Sequence, residues 1–376
     1  MAATDPLPEP DRLEGAPHPR ETRALFGHAA QEAEVLRAFT SGRLHHAWML
    51  TGAKGVGKAT FAWRIARFLL ATPEDDGGMF APAPPTTLDI ADSHPVARRL
   101  LQLAEPRHFL LRRAPNEKET ALSQVISVEE VRKMKSFFAL SAADGGRRTA
   151  IIDAVDEMNP AAANALLKLL EEPPANVTLL LIAHQPARLL PTIRSRCREL
   201  RLAPLGAADL ADALTQAGGD IAPEARTALA ELSGGSVGEA FRLTNLEGLK
   251  LYSALTRLFA TLPRLDRPQA LALSELAGAR GAAETFDLVV TLIDLCLARL
   301  ARHGATGQLP PEAAPGEAQL LQRLAPGPLA ARAWAELAQT LSARARRGKA
   351  VNLDPAALLM DMLLKVDETA GSLALR

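Results

Sequence analysis

The chain has 376 residues, a formal net charge of zero at pH 7, and 48% hydrophobic against 23% charged residues. This length allows two or three domains with sizeable cores, while the neutral balance argues against a strongly basic nucleic-acid binder, so any DNA contact would come from a local patch or from partner chains. With only two cysteines, Cys197 and Cys296, the chain cannot build a disulfide framework or a four-cysteine zinc site by itself.

The first twenty residues are rich in proline and charge, and they contain no apolar run of the kind that a secretory signal needs. No apolar run elsewhere reaches the roughly 18 residues that would span a bilayer. We therefore expect residues 1–20 to form a flexible N-terminal arm, and the chain to be a reduced, soluble, cytoplasmic protein.

Five short apolar runs between residues 47 and 202 predict the strands of an α/β domain. They are Ala47–Thr51, Phe109–Arg112, Thr149–Asp153, Thr178–Ala183 and Glu199–Leu202. Apolar runs without clean alternation are typical of strands that are buried on both faces of a parallel sheet. Helical patterns separate these runs, which predicts a doubly wound sheet. Thr72–Pro85 and Arg113–Ser123 have no usable period and are predicted to be surface loops.

The first predicted strand leads into a glycine-rich loop. Residues 52–58 read Gly-Ala-Lys-Gly-Val-Gly-Lys, which fits the pattern G-x-x-x-x-G-K, and an amphipathic helix follows. In such a loop the backbone N–H groups turn toward the phosphates, the helix N-terminus adds a favourable dipole, and the lysine reaches the terminal phosphates. The context predicts a nucleotide-binding loop whose candidate contacts are Gly52, Gly55, Val56, Gly57, Lys58, Ala59 and Thr60.

The residues that would hold a metal ion depart from the usual pattern. Ala59 stands where Ser or Thr should bind Mg²⁺, and the next residue, Thr60, is rotated by about 100° around the helix. Asp153 ends an apolar strand, as a Walker B aspartate does, but Ala154 stands where an active ATPase of this type carries glutamate. We interpret Asp153 as a relic Walker B residue; the alternative is an aspartate that only caps a loop. Mg²⁺ binding is expected to be weak or absent.

Beyond Pro204 the strand pattern stops and helical patterns follow. Ala207–Leu214, Pro223–Leu232 and Val237–Leu243 form a small helical unit. From residue 247 onward the predicted helices are longer and cover Leu249–Leu262, Arg267–Leu276, Ala283–Arg302, Pro328–Arg346 and Pro355–Asp367. An all-α C-terminal domain is the simplest interpretation.

Four segments together resemble one family, the clamp-loader branch of the AAA+ ATPases. The most specific is Asn159–Pro174, with Ser195–Cys197 downstream, and Leu25–His28 and Leu44–Trp48 are similar to the same branch. The resemblance implies an AAA+ P-loop domain with a doubly wound parallel sheet over residues 21–203, a helical lid over 204–246 and an all-α collar for oligomerisation over 247–376.

The resemblance also implies a role for Arg196 as an arginine finger. Such a residue reaches into the ATP site of a neighbouring subunit and stabilises charge on the γ-phosphate, and a finger supplied in trans is worth about 10³–10⁵ in rate. From spacing alone, the alternative is that Arg196 pairs with a local acid such as Glu199. The motif favours the finger.

Two further positions of the resemblance bear on hydrolysis. Gly238 stands where an active relative carries the arginine of sensor 2, and His184 follows a strand where an active subunit carries a polar sensor 1 residue. His184 could hydrogen-bond there or could be an ordinary loop histidine. Some members carry a four-cysteine zinc module after the P-loop helix, but this chain has no cysteine between Lys58 and Arg196, so no zinc is expected.

Because Ala59, Ala154 and Gly238 remove three separate functions around one intact P-loop, the resemblance implies a subunit without ATPase activity of its own. Its implied partners are the tau/gamma motor subunits, the delta subunit, the sliding clamp and primer–template DNA held by the whole hetero-oligomer. Whether ATP or ADP is bound stays open. The alternatives are an active motor subunit or free-standing ATPase, and an interaction scaffold with a vestigial loop.

Two groups of basic residues are ambiguous at this stage. Arg132, Lys133, Lys135, Arg147 and Arg148 could face a phosphate backbone or could be a solvated helix face. The run Arg344–Lys349 is interpreted as a helix end where cations complement the helix dipole.

Overall fold

A computed structural model describes residues 9–13, 15–73, 83–116, 121–139, 146–219 and 221–375 of the chain. It divides into two compact units, one comprising Met1–Gly219 with Ser236–Gly238 and the other comprising Asp220–Gly235 with Glu239–Arg376. The three domain ranges expected from sequence stay a prediction. Residues 204–219 group with the sheet, and most of the expected lid groups with the C-terminal helices.

The first unit alternates strands and helices along the chain. Its elements are α1 (Ala29–Thr40), β1 (Ala47–Thr51), α2 (Lys58–Ala71), α3 (Pro95–Leu101), β2 (His108–Arg112), α4 (Val128–Ala139), β3 (Arg148–Asp153), α5 (Pro160–Glu171), β4 (Val177–Ala183), α6 (Pro191–Arg194), β5 (Arg198–Arg201) and α7 (Ala207–Gln216).

The five strands form one sheet in the order β2-β3-β4-β1-β5, and every pairing is parallel. All seven residues of the central strand β4 are buried, which explains why its sequence is a continuous apolar run. One core cluster joins the sheet to α1, α2 and α3, and a second joins its other face to α4 and α5. The doubly wound α/β fold expected from the sequence is confirmed.

The helix α2, which follows the phosphate loop, is the best-buried helix of this unit among the described residues. Eleven of its fourteen residues are buried, among them Phe61, Trp63 and Phe68. Such a helix is covered on most sides, by the sheet and by α1 and α3. This packing places its first turn firmly at the end of β1. The helices α1 and α4 were not predicted. In α4 the buried residues Val131, Met134 and Phe138 recur at helical spacing among charged neighbours that hide the pattern.

The expectation of a flexible arm over residues 1–20 is corrected for the part that the structure describes. His18 is fully buried, and its Nε2 lies 3.0 Å from a carboxylate oxygen of Asp11. Glu9 pairs with Arg20 at 2.6 Å and with Arg112 at 3.2 Å. Asp11 also pairs with Arg112. A proline- and charge-rich segment is ordered here because ion pairs and a buried imidazole replace the apolar contacts that it lacks. Residues 1–8 and residue 14 lie outside the described part of the chain.

The predicted loops at Thr72–Pro85 and Arg113–Ser123 are described only in part, since residues 74–82 and 117–120 lie outside the described ranges. In the second of them, the carbonyl of Ala114 accepts from the N–H of Ser123, and an isolated bridge joins Pro115 to Leu122. No strand or helix is assigned to the described residues of either segment beyond that bridge.

The second unit is helical throughout its described residues, as expected. Its elements are α8 (Arg226–Ser233), α9 (Val237–Asn245, whose first two residues belong to the first unit), α10 (Gly248–Ala260), α11 (Arg267–Gly278), α12 (Ala283–Thr306), α13 (Glu317–Leu324), α14 (Pro328–Ala350) and α15 (Pro355–Ala374). Of these, α13 was not predicted. Among the described residues, no helix is both long and apolar enough to cross a membrane.

A buried polar network lies inside the helical unit. Glu317 is fully buried and accepts hydrogen bonds from the Tyr252 hydroxyl at 2.6 Å, from Arg299 Nε at 2.6 Å and from the Ala313 N–H at 2.7 Å. Arg299 also pairs with Glu231 at 2.9 Å. Every oxygen of the Glu317 carboxylate therefore has a partner, which is the condition for burying a charge.

The basic run near the end of α14 makes specific ion pairs. Arg344 pairs with Asp361 at 3.1 Å, Arg346 with Asp294 at 3.6 Å, and Lys349 with Asp287 at 2.7 Å. These contacts join α14 to α15 and to α12, so the run also contributes to packing within the helical unit.

Candidate functional site

The glycine-rich loop lies between the carboxyl end of β1 and the first turn of α2, where the sequence placed it. Three of its glycines have positive φ angles: Gly52 at 142°, Gly55 at 81° and Gly57 at 100°. Residues with a Cβ rarely adopt these angles. The glycines therefore allow the chain to turn sharply from strand to helix and to bring its backbone close to a ligand.

The carbonyl groups of this loop are all engaged by the protein itself. Lys58 Nζ donates to the carbonyls of Gly52 (2.8 Å) and Ala53 (2.6 Å). The Lys54 carbonyl accepts from the Ser236 hydroxyl, and the Gly55 carbonyl accepts from the Gly238 N–H. The Val56 carbonyl contacts the His28 ring, and the Gly57 carbonyl accepts from the Phe61 N–H. Among the described residues, no acceptor pairs with the backbone N–H groups of residues 53–57. A loop with its carbonyls bound and its N–H groups available has the polarity of an anion-binding nest.

Lys58 is buried at the centre of this loop. Its side chain is withdrawn from water, and burial lowers the pKa of its ammonium group to about 8, although the Asp153 and Asp156 carboxylates favour the charged form. A buried ammonium that pairs with two carbonyls among the described residues can gain stabilisation from an added anion. Its contact with phosphate stays a prediction.

Asp153 ends β3 and stands in register with Arg112 of β2 and Ile182 of β4. Burial raises the pKa of its carboxyl group to about 7, and the nearby Asp11 and Glu157 carboxylates act in the same direction. Burial thus favours the neutral form of this carboxyl group near neutral pH. The next residue, Ala154, is buried in the core and brings no carboxylate to the site.

Asp156 lies beyond the end of β3, and its carboxylate binds the backbone just after β4. Its carboxylate accepts from the N–H of His184 at 3.1 Å and from the N–H of Gln185 at 2.9 Å. Burial, with the charge of Lys58 nearby, lowers the pKa of His184 to about 4, so its ring is neutral at physiological pH. The structure therefore places His184 near the loop lysine.

The two residues after Lys58 do not restore a metal site. Ala59 packs against the core cluster of the sheet, and the Thr60 hydroxyl makes no side-chain hydrogen bond to the described residues. Within those same ranges, no group of three or more His, Cys, Asp or Glu residues could hold a metal ion. The arrangement can bind an anion through backbone N–H groups and Lys58.

The segment Ser236–Gly238 closes over the outside of the loop. The Ser236 hydroxyl donates to the Lys54 carbonyl at 2.8 Å, and the Gly238 N–H donates to the Gly55 carbonyl at 3.3 Å. A Cβ on Gly238 would lie 3.2 Å from the Gly55 Cα. The backbone approach is thus close enough to favour glycine at the position where the resemblance expects an arginine in active relatives.

Arg196 lies on the surface between α6 and β5. Its side chain is 36% exposed, Nη2 pairs with Glu171 Oε1 at 2.8 Å, and Nη1 donates to the Thr192 carbonyl at 3.0 Å. Arg196 therefore pairs with an acid of its own unit, as the alternative interpretation expected, but that acid is Glu171; Glu199 accepts instead from the Thr51 hydroxyl at 2.6 Å. A guanidinium has five N–H donors, and these two contacts leave three of them without a partner among the described residues.

The five candidate phosphate-contacting cations divide into two kinds. Arg132, Lys133 and Lys135 are exposed on α4, where Lys133 pairs with Glu130 at 2.6 Å. Arg147 and Arg148 instead stack on aromatic rings, Arg147 over Phe39 and Arg148 over Phe138. Packing of this kind involves the two arginines in contacts within the unit.

Sequence reasoning missed two acidic residues of these sites. Asp11 comes from the N-terminal segment and raises the pKa of Asp153, yet its proline-rich surroundings resemble a linker. Glu171 was inside the most specific motif, but neither spacing nor periodicity indicated that it meets Arg196. Contacts between segments that are distant along the chain have no local signal in one sequence.

Residues 27–206 match the model of the family described as "DNA polymerase III, delta subunit". The DNA polymerase III subunit delta′ of Pseudomonas aeruginosa is 38% identical over 198 residues, covering 53% of this chain and 55% of that protein. The chain therefore spans about half the length of this relative. The subunit delta′ of Escherichia coli is 27% identical over 340 residues, covering 89% of this chain and 92% of its own length.

The chain is also similar to a subunit of another name. The DNA polymerase III subunit tau of Salmonella typhimurium is 30% identical over 288 residues, which cover 73% of this chain but only 40% of that protein. Overall similarity therefore does not by itself distinguish delta′ from tau.

Proposed function

We propose that the chain is a non-hydrolysing subunit of the cytoplasmic clamp-loader complex, and its similarity to DNA polymerase III delta-prime subunits supports this. In this role it helps to load the sliding clamp onto primed DNA, in a hetero-oligomer with tau/gamma motor subunits and the delta subunit. Its specific contribution is to donate Arg196 to the ATP site of a neighbouring motor subunit.

The observation that carries this proposal is the contrast between the chain's own nucleotide site and Arg196. The chain's own site lacks a hydroxyl at Ala59 and a carboxylate at Ala154, and its remaining aspartate, Asp153, has a pKa of about 7. Arg196, by contrast, lies on the surface with three N–H donors available to a ligand from outside. An exposed guanidinium with such donors is well placed to act on the site of another subunit.

The same contrast bears on how the chain binds a nucleotide. We propose that ATP or ADP binds the phosphate loop through backbone N–H groups and Lys58, with little contribution from Mg²⁺ and none from zinc. Isothermal titration of the purified chain with ATP, with and without Mg²⁺, separates this proposal from a scaffold with a vestigial loop. Binding that is equal in both conditions supports it, and the absence of heat in both conditions contradicts it.

The finger role is tested in the reconstituted complex with motor and delta subunits. Arg196→Ala should slow ATP turnover by at least about tenfold, since fingers supplied in trans contribute about 10³–10⁵ in the best-studied systems. Arg194→Ala is the matched control, because Arg194 is exposed in the same segment and its side chain pairs with no described residue.

Two outcomes would count against the proposal. Turnover that is unchanged by Arg196→Ala, in a complex shown to be fully assembled, would remove the finger role. ATP hydrolysis by the purified chain alone would instead favour an active motor.

A further inference from the structure

The contact between Glu171 and Arg196 joins two segments that are far apart in the sequence. Glu171 is the last residue of α5, and Arg196 follows the short helix α6. Oε1 of the carboxylate lies 2.8 Å from Nη2 of the guanidinium, and the side chains are 48% and 36% exposed. The pair is therefore accessible from the surface of the unit, and a ligand can approach it.

The end of α5 is a rigid support for this carboxylate. The helix begins with Asn159, whose side chain accepts from the Ala162 N–H at 2.8 Å, and it buries Leu166, Leu169 and Leu170 in the core. It ends at Glu171 because Pro173 and Pro174 follow, and the residue before a proline is disfavoured in helical conformation. Packing thus determines where the Glu171 backbone lies, independently of Arg196.

The second contact of Arg196 comes from a different element. Nη1 donates to the carbonyl of Thr192 in α6, and the same carbonyl accepts from the Ser195 hydroxyl at 3.2 Å. The guanidinium is consequently held at two of its nitrogens by two separate elements. The three remaining N–H donors have no partner among the described residues and are available to an anion.

We propose that Glu171 is a positioning residue for Arg196, an inference that rests on the proposed finger role. A free arginine side chain loses about 2 kcal/mol of rotamer entropy when it becomes ordered. Glu171 and Thr192 order the guanidinium before the neighbouring subunit presents its nucleotide, so that less of this cost falls on the transition state. The adjacent Glu172 makes no such contact with the described residues and has no positioning role.

The expected effect is modest, because a half-exposed ion pair contributes about 0.2–1 kcal/mol. In the reconstituted complex, Glu171→Ala should lower kcat for ATP by roughly 1.4- to fivefold, the same free energy expressed as a rate. KM for ATP, complex assembly and the melting temperature of the chain should stay unchanged. Glu171→Gln keeps an acceptor oxygen and should have a smaller effect, and Glu172→Ala should have none.

A double-mutant cycle separates positioning from a general structural effect. When Arg196 has been replaced by alanine, adding Glu171→Ala should change kcat no further. An effect of Glu171→Ala that persists without Arg196, or no effect at all in the wild-type background, would overturn the positioning role. These results are distinct from failure of the proposed function, which would appear as normal turnover in Arg196→Ala alone.

Discussion

The Gly238 N–H donates to the carbonyl of Gly55 at 3.3 Å, so two glycines bring the segment after α8 into backbone contact with the phosphate loop. A Cβ on Gly55 would meet the Gly238 nitrogen at 2.9 Å and its Cα at 3.0 Å, and it would overlap the Ser236 hydroxyl. The two Gly238 atoms belong to the backbone and cannot rotate away, whereas the Ser236 hydroxyl is a flexible side-chain end. The contact therefore requires glycine at position 55 for space as well as for its φ angle.

Gly55→Ala is expected to destabilise the first unit by about 2–5 kcal/mol. A positive φ angle costs a residue with a Cβ about 1–2 kcal/mol, and overpacking adds about 1–3 kcal/mol. Urea unfolding followed by tryptophan fluorescence measures this in a Trp334→Phe background, where the remaining tryptophans, Trp48 and Trp63, both belong to the first unit.

Gly42→Ala is the matched control for that measurement. Gly42 also has a positive φ angle, 67°, but a Cβ there would meet nothing within 4 Å. It should cost only about 1 kcal/mol, which is the backbone contribution alone. Equal costs at the two positions would show that the contact with Ser236–Gly238 does not constrain the loop.

The raised pKa of Asp153 predicts a pH-dependent stability. Between the unfolded pKa of 3.8 and the folded pKa of about 7, the native state holds a proton that the unfolded state has released. The contribution of Asp153 to stability therefore falls as pH rises through this window and is flat above it. Compared with the wild type, Asp153→Asn should gain stability between pH 5 and pH 8, on the order of 2 kcal/mol.

The measurement is the free energy of unfolding of both proteins at several pH values. Asp11, Glu157, Lys58 and Arg112 are the charged groups that act on Asp153, and all of them stay in place in the variant. Asp212→Asn, an exposed change on α7 of the same unit, should show no such trend. A difference between Asp153→Asn and the wild type that is constant from pH 5 to pH 8 would contradict the perturbed carboxyl group.

The buried network of the helical unit predicts a large effect from one uncharged substitution. Glu317→Gln removes the charge that Arg299 faces while leaving its shape, and breaking a buried pair in this way costs about 3–5 kcal/mol. The urea midpoint followed by circular dichroism should fall accordingly. Glu368→Gln, which removes an exposed partner of Lys365, should change stability by less than about 0.5 kcal/mol. Similar small effects for both variants would mean that the Glu317 charge is dispensable.

The sheet could be predicted from sequence because its strands are buried on both faces. Each predicted strand overlaps an observed one to within one residue at either end, and β4, whose seven residues are all buried, has no polar position to obscure it. The helix α4 was missed because charged residues surround the three that it buries. Likewise, the N-terminal segment was taken for a flexible arm because ion pairs such as Asp11 with Arg112 leave no periodic pattern.

The candidate site was predictable where it is continuous in the chain and unpredictable where it is not. Gly52 through Lys58 follow one another, so their geometry is a local matter of φ angles and one helix start. For Arg196 the alternative to the finger was a pairing with a local acid such as Glu199, but strand β5 carries Glu199 toward Thr51, while the end of α5 brings Glu171 to the arginine. Such a choice depends on how strands and helices cross in space.

The engagement of all six carbonyls of the phosphate loop has a thermodynamic consequence. A phosphate group entering this loop would meet a main chain that the protein has already ordered, so little conformational entropy would be lost on binding. Only the Lys58 side chain would have to exchange its two carbonyl partners for the incoming oxygens. The heat of phosphate binding would therefore be set mainly by the Lys58 ammonium group as it changes partners.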